Sequence, residues 1–374
     1  MDYDRASMAS RQDGSPLYIG VDARIKNKDD LAVYYSPGVA EPCRVIAKEK
    51  AASRQLTIKK NTIAVVSDGS AVLGLGNIGA EAALPVMEGK SMLFKEFAGV
   101  NAFPIVLNTQ DVDEIVDSVK RIAPTFGGIN LEDISAPRCF EIERRLSEAC
   151  DIPVFHDDQD GTAMVTTAAL RNALRLVGKK KSEVKVVLSG AGAAGIAIDK
   201  MLTKWGVKNV VLVDSKGIVA CSRDDINSNK RAYCSNTKGS LADAMIGADV
   251  FIGVSRGGLL SQDMVKTMNS DPIIFALANP VPEIEPEEAI AAGARVIATG
   301  RSDYPNQINN VLIFPGFFKG LLENHIVTID YDLKLKAMKA LSNLVAEPRE
   351  DYIIPDAFDK RVVAAVSEAL RQDK

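Results

Sequence analysis

Histidine is the scarcest of the proton-transferring side chains in this 374-residue sequence: only His156 and His325 are present. The imidazole is the side chain that titrates near neutrality, so its scarcity directs the search for an acid and a base toward tyrosine, lysine and the carboxylates. Cysteine is sparse as well. Cys43, Cys139, Cys150, Cys221 and Cys234 form no C-x-x-C pair and are odd in number, which predicts reduced, mostly buried thiols. No apolar run approaches the roughly 18 residues of a membrane span. The polar start, Met1 to Asp13, lacks the basic-then-apolar order of a signal peptide. A cytoplasmic protein without a membrane partner is therefore expected. The net charge of −4 gives no reason to expect nucleic acid, and leaves a small molecule as the default partner.

The chain has 47% apolar and 25% charged residues and is too long for one hydrophobic core, which predicts two domains. Its most specific local pattern is Gly190-Ala191-Gly192-Ala193-Ala194-Gly195. An apolar run, Val184 to Leu188, precedes it; a helix-like run, Ile196 to Trp205, and a second strand, Asn209 to Val213 with Asp214 at its end, follow. This is a dinucleotide-binding βαβ unit. The glycines permit a tight turn, backbone approach to a pyrophosphate and close helix packing, and Asp214 fits the acid that meets the adenosine ribose.

Upstream, extended runs such as Thr62 to Ser67 and Phe103 to Asn108 alternate with helix-like runs such as Val112 to Ile122, which predicts an α/β domain. Thr162 to Val177 reads as a linking helix. Downstream, Val250 to Val254, Ile273 to Ala278 and Val296 to Ala298 read as buried parallel strands. The fold class is thus α/β: an amino-terminal domain over 1–160, a doubly wound parallel-sheet Rossmann-type domain over 161–315, and a helical segment over 316–374 that packs back.

A second glycine pattern, Gly74-Leu75-Gly76-Asn77-Ile78-Gly79, has dinucleotide spacing in the wrong context. Pro85 interrupts the helical run behind it, and the next strand ends at Asn108 without an acid. Two acidic clusters, Glu132-Asp133 and Asp157-Asp158, lie between or beside apolar residues. They read either as turn acids and caps or, with oxygen donors and no cysteine, as a site for Mg²⁺ or Mn²⁺. If Asp157 and Asp158 are extended, their side chains point opposite ways. Tyr35, before Ser36-Pro37-Gly38, reads as a turn anchor or a functional phenol.

Taken together, Tyr35 to Ala40, Ser67-Asp68-Gly69 leading into Leu73 to Gly79, Gly89-Lys90, Glu132-Asp133, and Phe155 to Thr162 resemble, in order, the motifs of the short prokaryotic-type malic enzymes. The resemblance covers nearly the whole chain. It implies oxidative decarboxylation of (S)-malate to pyruvate and CO₂ with reduction of NAD or NADP, and a homodimer or higher homo-oligomer. Tyr35 matches the general acid and Lys90 the general base, with Asp157 as the partner of the lysine. Glu132, Asp133 and Asp158 match the metal ligands. Asn279 matches a contact to cofactor and substrate, and Asn309 and Asn310 a pair near substrate.

Where long members of the family carry a substrate-binding arginine this chain has Ala71, and Arg24 is one candidate replacement. Lys90 can act as a base only if its pKa falls toward neutrality. Asp214 favours NAD over NADP, while Lys216 and Arg223 offset it. A malolactic reaction with recycled NAD and a non-catalytic dinucleotide sensor are the rival readings.

Overall fold

The computed structural model describes residues 3–11, 14–21, 23–72 and 74–371. Leu73, at the head of the second glycine pattern, lies outside them, as do Met1 and Asp13 at the limits of the polar start. Short β-branched runs form two sheets. The first has the order β2-β1-β3-β4, built from β1 (Thr62–Ser67), β2 (Asn101–Val106), β3 (Gly128–Leu131) and β4 (Val154–His156), all parallel.

The second contains β5 (Lys185–Ser189), β6 (Asn209–Asp214), β7 (Gly217–Ile218), β8 (Val250–Gly253), β9 (Ile273–Ala276) and β10 (Val296–Thr299). Its order is β10-β9-β8-β5-β6-β7, with only β7 antiparallel. The chain builds outward from β1 to β2 and then reverses to β3; it repeats the manoeuvre from β5 to β6 and back to β8. Each reversal opens a crevice at the carboxyl ends of the strands, where ligands of open α/β sheets bind.

Alternation along the strands sorts the core. Ala64, Val66, Ile129 and Leu131 face Ile115 and Ile142 on one side of the first sheet. Val187, Phe251 and Ile274 face Met245 and Val265 on the outer side of the second. The inward residues, Ile63 and Val65 from the first sheet and Val186, Leu188 and Val250 from the second, share one core with the Thr162–Val177 helix. The two α/β units are therefore joined by continuous apolar packing as well as by the chain.

The carboxy-terminal helices Phe314–Glu323, Tyr331–Asn343 and Arg361–Glu368 do pack back. Phe314 and Phe318 stand 4.7 and 5.3 Å from Phe94, while Phe317 and Phe318 stand 5.1 and 5.8 Å from Phe155. Asn172 donates to the carbonyls of Ser342 and Ile353 and fixes the next helix against the linker. Among the described residues, no helix is long and apolar enough to cross a membrane.

Two expectations change. Pro85 does not interrupt its helix: Ala80–Ala98 runs through it. The proline lies near the helix start, so few backbone bonds are lost, while buried Met87, Lys90 and Phe94 hold one continuous face against the core. The cysteines are not all thiols either. Cys221 and Cys234 are bridged, Cys139 and Cys150 are buried, and Cys43 is exposed. The return of the chain after β7 brings two cysteines 13 positions apart side by side, which spacing alone does not reveal.

Phe318→Ala removes the ring that touches both Phe94 and Phe155. We expect a loss of about 3–5 kcal/mol in urea unfolding, the range for buried aromatic truncations. A loss below about 1 kcal/mol would show that the carboxy-terminal helix does not hold the first domain.

Candidate active site

The pairing of β3 with β4 sets Leu131 beside His156, so the next residues, Glu132 and Asp157, leave the sheet at the same height. Asp133 turns the chain with a left-handed φ of 55°. Asp157 and Asp158 begin a π-helical turn, Asp157–Gly161, rather than an extended segment, and their side chains diverge because of that turn. Gly161 is required there, since an added Cβ would collide with the Asp157 carboxylate.

Into this corner the Ala80–Ala98 helix projects Lys90. Its Nζ lies 2.8 Å from Glu132 and 2.5 Å from Asp157, and 4.1 Å from the centre of the Phe314 ring. Asn310 donates to the same Asp157 oxygen at 2.5 Å, and Asn130 donates to Glu132 at 2.9 Å. The backbone N–H of Asp133 donates to Asp158 at 2.7 Å.

Glu132, Asp133 and Asp158 present oxygens that all lie within 4.8 Å of one another. The Asp133 Oδ2 is buried without a hydrogen-bond partner among the described residues. Burial raises all of these carboxyls above their ordinary range, and mutual repulsion adds to it; Asp133 is pushed up to about 9 and Asp158 to about 6. An oxygen-only set, crowded and short of positive charge, fits a hard divalent cation.

Lys90 departs from expectation. Burial favours its neutral form, but Asp157 and Glu132 outweigh burial and raise its pKa. The lysine is held as an ammonium. Asp157, in turn, is pushed up to about 7 by burial, against the pull of Lys90. His156 is fully buried, and burial pushes its imidazole down to about 4, so it is neutral and packed.

The other residues singled out in the sequence divide. Asn309 caps the short turn that presents Asn310, through the Val311 N–H at 2.9 Å. Tyr35 is not brought to the cluster: it is 68% exposed at the end of the Lys28–Tyr34 helix, in a stretch whose helices bury no residue. Arg24 is exposed too.

Across the cleft, Gly190 has a φ of 120° and packs on the Val254 carbonyl, and Gly195 packs on the Gly190 carbonyl. Ala191 and Gly192 complete the turn, and Ala193 and Ala194 begin the Ala193–Trp205 helix, whose first N–H groups have no side-chain cap. This leaves them for an anion. Asp214 is already engaged: Arg223 reaches it at 2.8 and 3.0 Å and Lys230 at 3.0 Å. Burial alone would raise its carboxyl, but these hydrogen bonds hold it down at about 2. Asn279 stands exposed beyond β9, with its carbonyl against Gly74. The second glycine pattern is thus a packing turn between the domains: Gly69 accepts from Ile78 and Gly79, and a Cβ at Gly74 would press on Asn279.

Sequence reasoning missed two polar anchors. Asn130, an amide inside the buried run Gly128–Leu131, was a visible signal. Arg138 was not, since a helix-start arginine reads as solvated; it binds Asp68 at 2.9 Å and Ser70 at 2.9 Å and ties the Asp68-Gly69 turn to Ser135.

Comparison with known proteins converges. The family described as "Malic enzyme, N-terminal domain" matches residues 18–147, and "Malic enzyme, NAD binding domain" matches residues 159–369. The chain is 56% identical over 354 residues to the bifunctional malic/malolactic enzyme of Bacillus subtilis, covering 92% of this chain and 86% of that one. It is 58% identical over 355 residues to the NAD-dependent malic enzyme of Geobacillus stearothermophilus, covering 92% and 74%. The crystal structure of malic enzyme from Pyrococcus horikoshii superposes with a TM-score of 0.95 at 46% identity, covering 99% of this chain and 90% of that one.

The raised carboxyls fix a pH dependence. Protons retained by the folded chain and released by the unfolded one make the metal-free protein lose stability as pH climbs from about 4 toward about 9. A cation that displaces those protons binds more tightly as pH rises. Calorimetric titration with Mn²⁺ should give at least about tenfold tighter binding at pH 8 than at pH 6, with protons released to buffer. A pH-independent affinity would mean that these carboxylates are not the ligands.

Proposed function

The chain belongs to the malic enzyme family, and we propose that it catalyses the metal-dependent oxidative decarboxylation of (S)-malate to pyruvate and CO₂ with reduction of NAD or NADP. The observation that carries this reading is one ammonium, Lys90, shared between Asp157 and Glu132 beside a three-carboxylate cluster. Glu132, Asp133 and Asp158 would hold Mg²⁺ or Mn²⁺. When bound, the cation supplies Lewis-acid polarisation at the C2 oxygen and adjacent carboxylate of malate, and the nicotinamide supplies the hydride acceptor.

Lys90 takes the C2 hydroxyl proton. As an ammonium it must first pass its own proton to solvent; a cation held by Glu132 would weaken that carboxylate's hold on the lysine and ease this release. Asp157 holds the lysine in place, and Asn310 holds Asp157. Tyr35 delivers the proton to C3 after CO₂ leaves. NAD is the favoured carrier because Asp214 keeps its charge, whereas Arg223 and Lys230 leave NADP usable.

The exposure of Tyr35, together with Val33, Tyr34 and Leu31 around it, supports a homodimer that covers this segment. We keep the division at 160 and 315 drawn from the sequence and propose a cytoplasmic location. A malolactic outcome is the second reading, supported by the printed name of the Bacillus relative.

Malate with Mn²⁺ and either cofactor should yield reduced cofactor and pyruvate in equal amounts; lactate without net reduced cofactor would transfer the assignment to the malolactic reaction. Tyr35→Phe and Lys90→Ala should each depress turnover by at least about 100-fold while leaving NAD binding intact. Co-refolding the two inactive variants tests which copy supplies the phenol. Recovery of about a quarter of wild-type activity places Tyr35 in the partner's site, and no recovery places it in its own.

A further inference from the structure

A cavity of about 490 Å³ lies apart from the corner that holds Lys90. It lies between the domains, bounded by the Arg138–Ala149 helix, the Asp157–Gly161 turn, the Ala193–Trp205 helix and the chain entering the Tyr331–Asn343 helix. We propose that this cavity is a binding site for an organic anion of mononucleotide size, with its phosphate or carboxylate head on Lys200 and its planar body against the Tyr331 ring.

The charge pattern favours an anion. Lys334 is matched with Asp160 at 2.5 Å, and Arg144 with Glu148 at 2.9 Å on the outer surface. Lys200 has no carboxylate partner among the described residues; its Nζ stands 4.9 Å from the centre of the Tyr331 ring, and so does that of Lys334. Burial, then Asp160, raises the pKa of Glu143 to about 8, which lessens the negative charge this carboxyl brings to the cavity. One unmatched cation is left at the cavity.

The shape favours a body as well as a head. A bare phosphate would fill a small part of this volume, and Tyr233, Tyr331 and Ile196 offer aromatic and apolar walls to the remainder. Occupancy would reach the reaction site through shared structure. Gln159 and Asp160 line the cavity from the same five-residue turn whose Asp157 and Asp158 face the carboxylate cluster. Ile196, Ala197 and Lys200 line it from the helix whose start forms the dinucleotide loop.

The test is calorimetric titration of the full chain saturated with NAD⁺ and Mg²⁺, so that the dinucleotide loop is filled. Adenosine monophosphate and 2-naphthoate represent the phosphate and carboxylate sources, and inorganic phosphate represents the head alone. Saturable binding of either organic anion is expected, at least about tenfold tighter than phosphate. Lys200→Glu should weaken it by at least about tenfold while NAD⁺ affinity stays unchanged; Tyr331→Leu, checked for folding by circular dichroism, should weaken it too. No saturable binding of either anion, binding no tighter than that of phosphate, or binding untouched by Lys200→Glu would overturn the proposal. Because the readout is affinity and not turnover, the result stands apart from the reaction assigned above.

Discussion

A lysine ammonium surrounded by more carboxylates than it can neutralise is the constraint around which this molecule is arranged. Lys90 meets Glu132 and Asp157 directly, and Asp133 and Asp158 crowd the same corner. Taking these charges out of water is costly, and each survives only because its geometry is overdetermined. The register of β3 against β4 levels Glu132 with Asp157, the π-helical turn parts Asp157 from Asp158, and the Phe314 ring closes the ammonium from the carboxy-terminal side. The surplus of negative charge makes the corner receptive to a cation and holds Lys90 as an ammonium.

The second constraint is that two sheets must be held in one fixed relation. A continuous core through the Thr162–Val177 helix sets their relative position, and the glycine turn at residue 74 presses on Asn279 from the opposite domain. That contact explains why a dinucleotide-like spacing occurs where no dinucleotide loop forms. Close backbone approach requires glycine in both cases; what approaches differs.

Much of this was legible in the chain itself. Strands such as Thr62–Ser67 and helices such as Thr162–Val177 announce themselves by apolar runs and terminal glycine, because local pattern and burial agree there. The dinucleotide unit was readable for the same reason. What stayed hidden depends on distant partners. Nothing local states that Pro85 lies inside a helix, that Cys221 meets Cys234, or that Arg138 ties down the Asp68-Gly69 turn. The charge state of Lys90 could not be read from the chain, because the balance between burial and two anions is set by ångström-scale distances. Tyr35 stood out in the sequence beside Ser36-Pro37-Gly38, and the structure leaves it 68% exposed.

The loop closed by the Cys221–Cys234 bridge carries Arg223 and Lys230, the two cations that grip Asp214. The partners of Asp214 are thereby carried on a covalently bounded loop, separate from the carboxylate corner around Lys90. A chain that exchanged this bridged loop would change the partners of Asp214 and leave the carboxylate corner around Lys90 untouched.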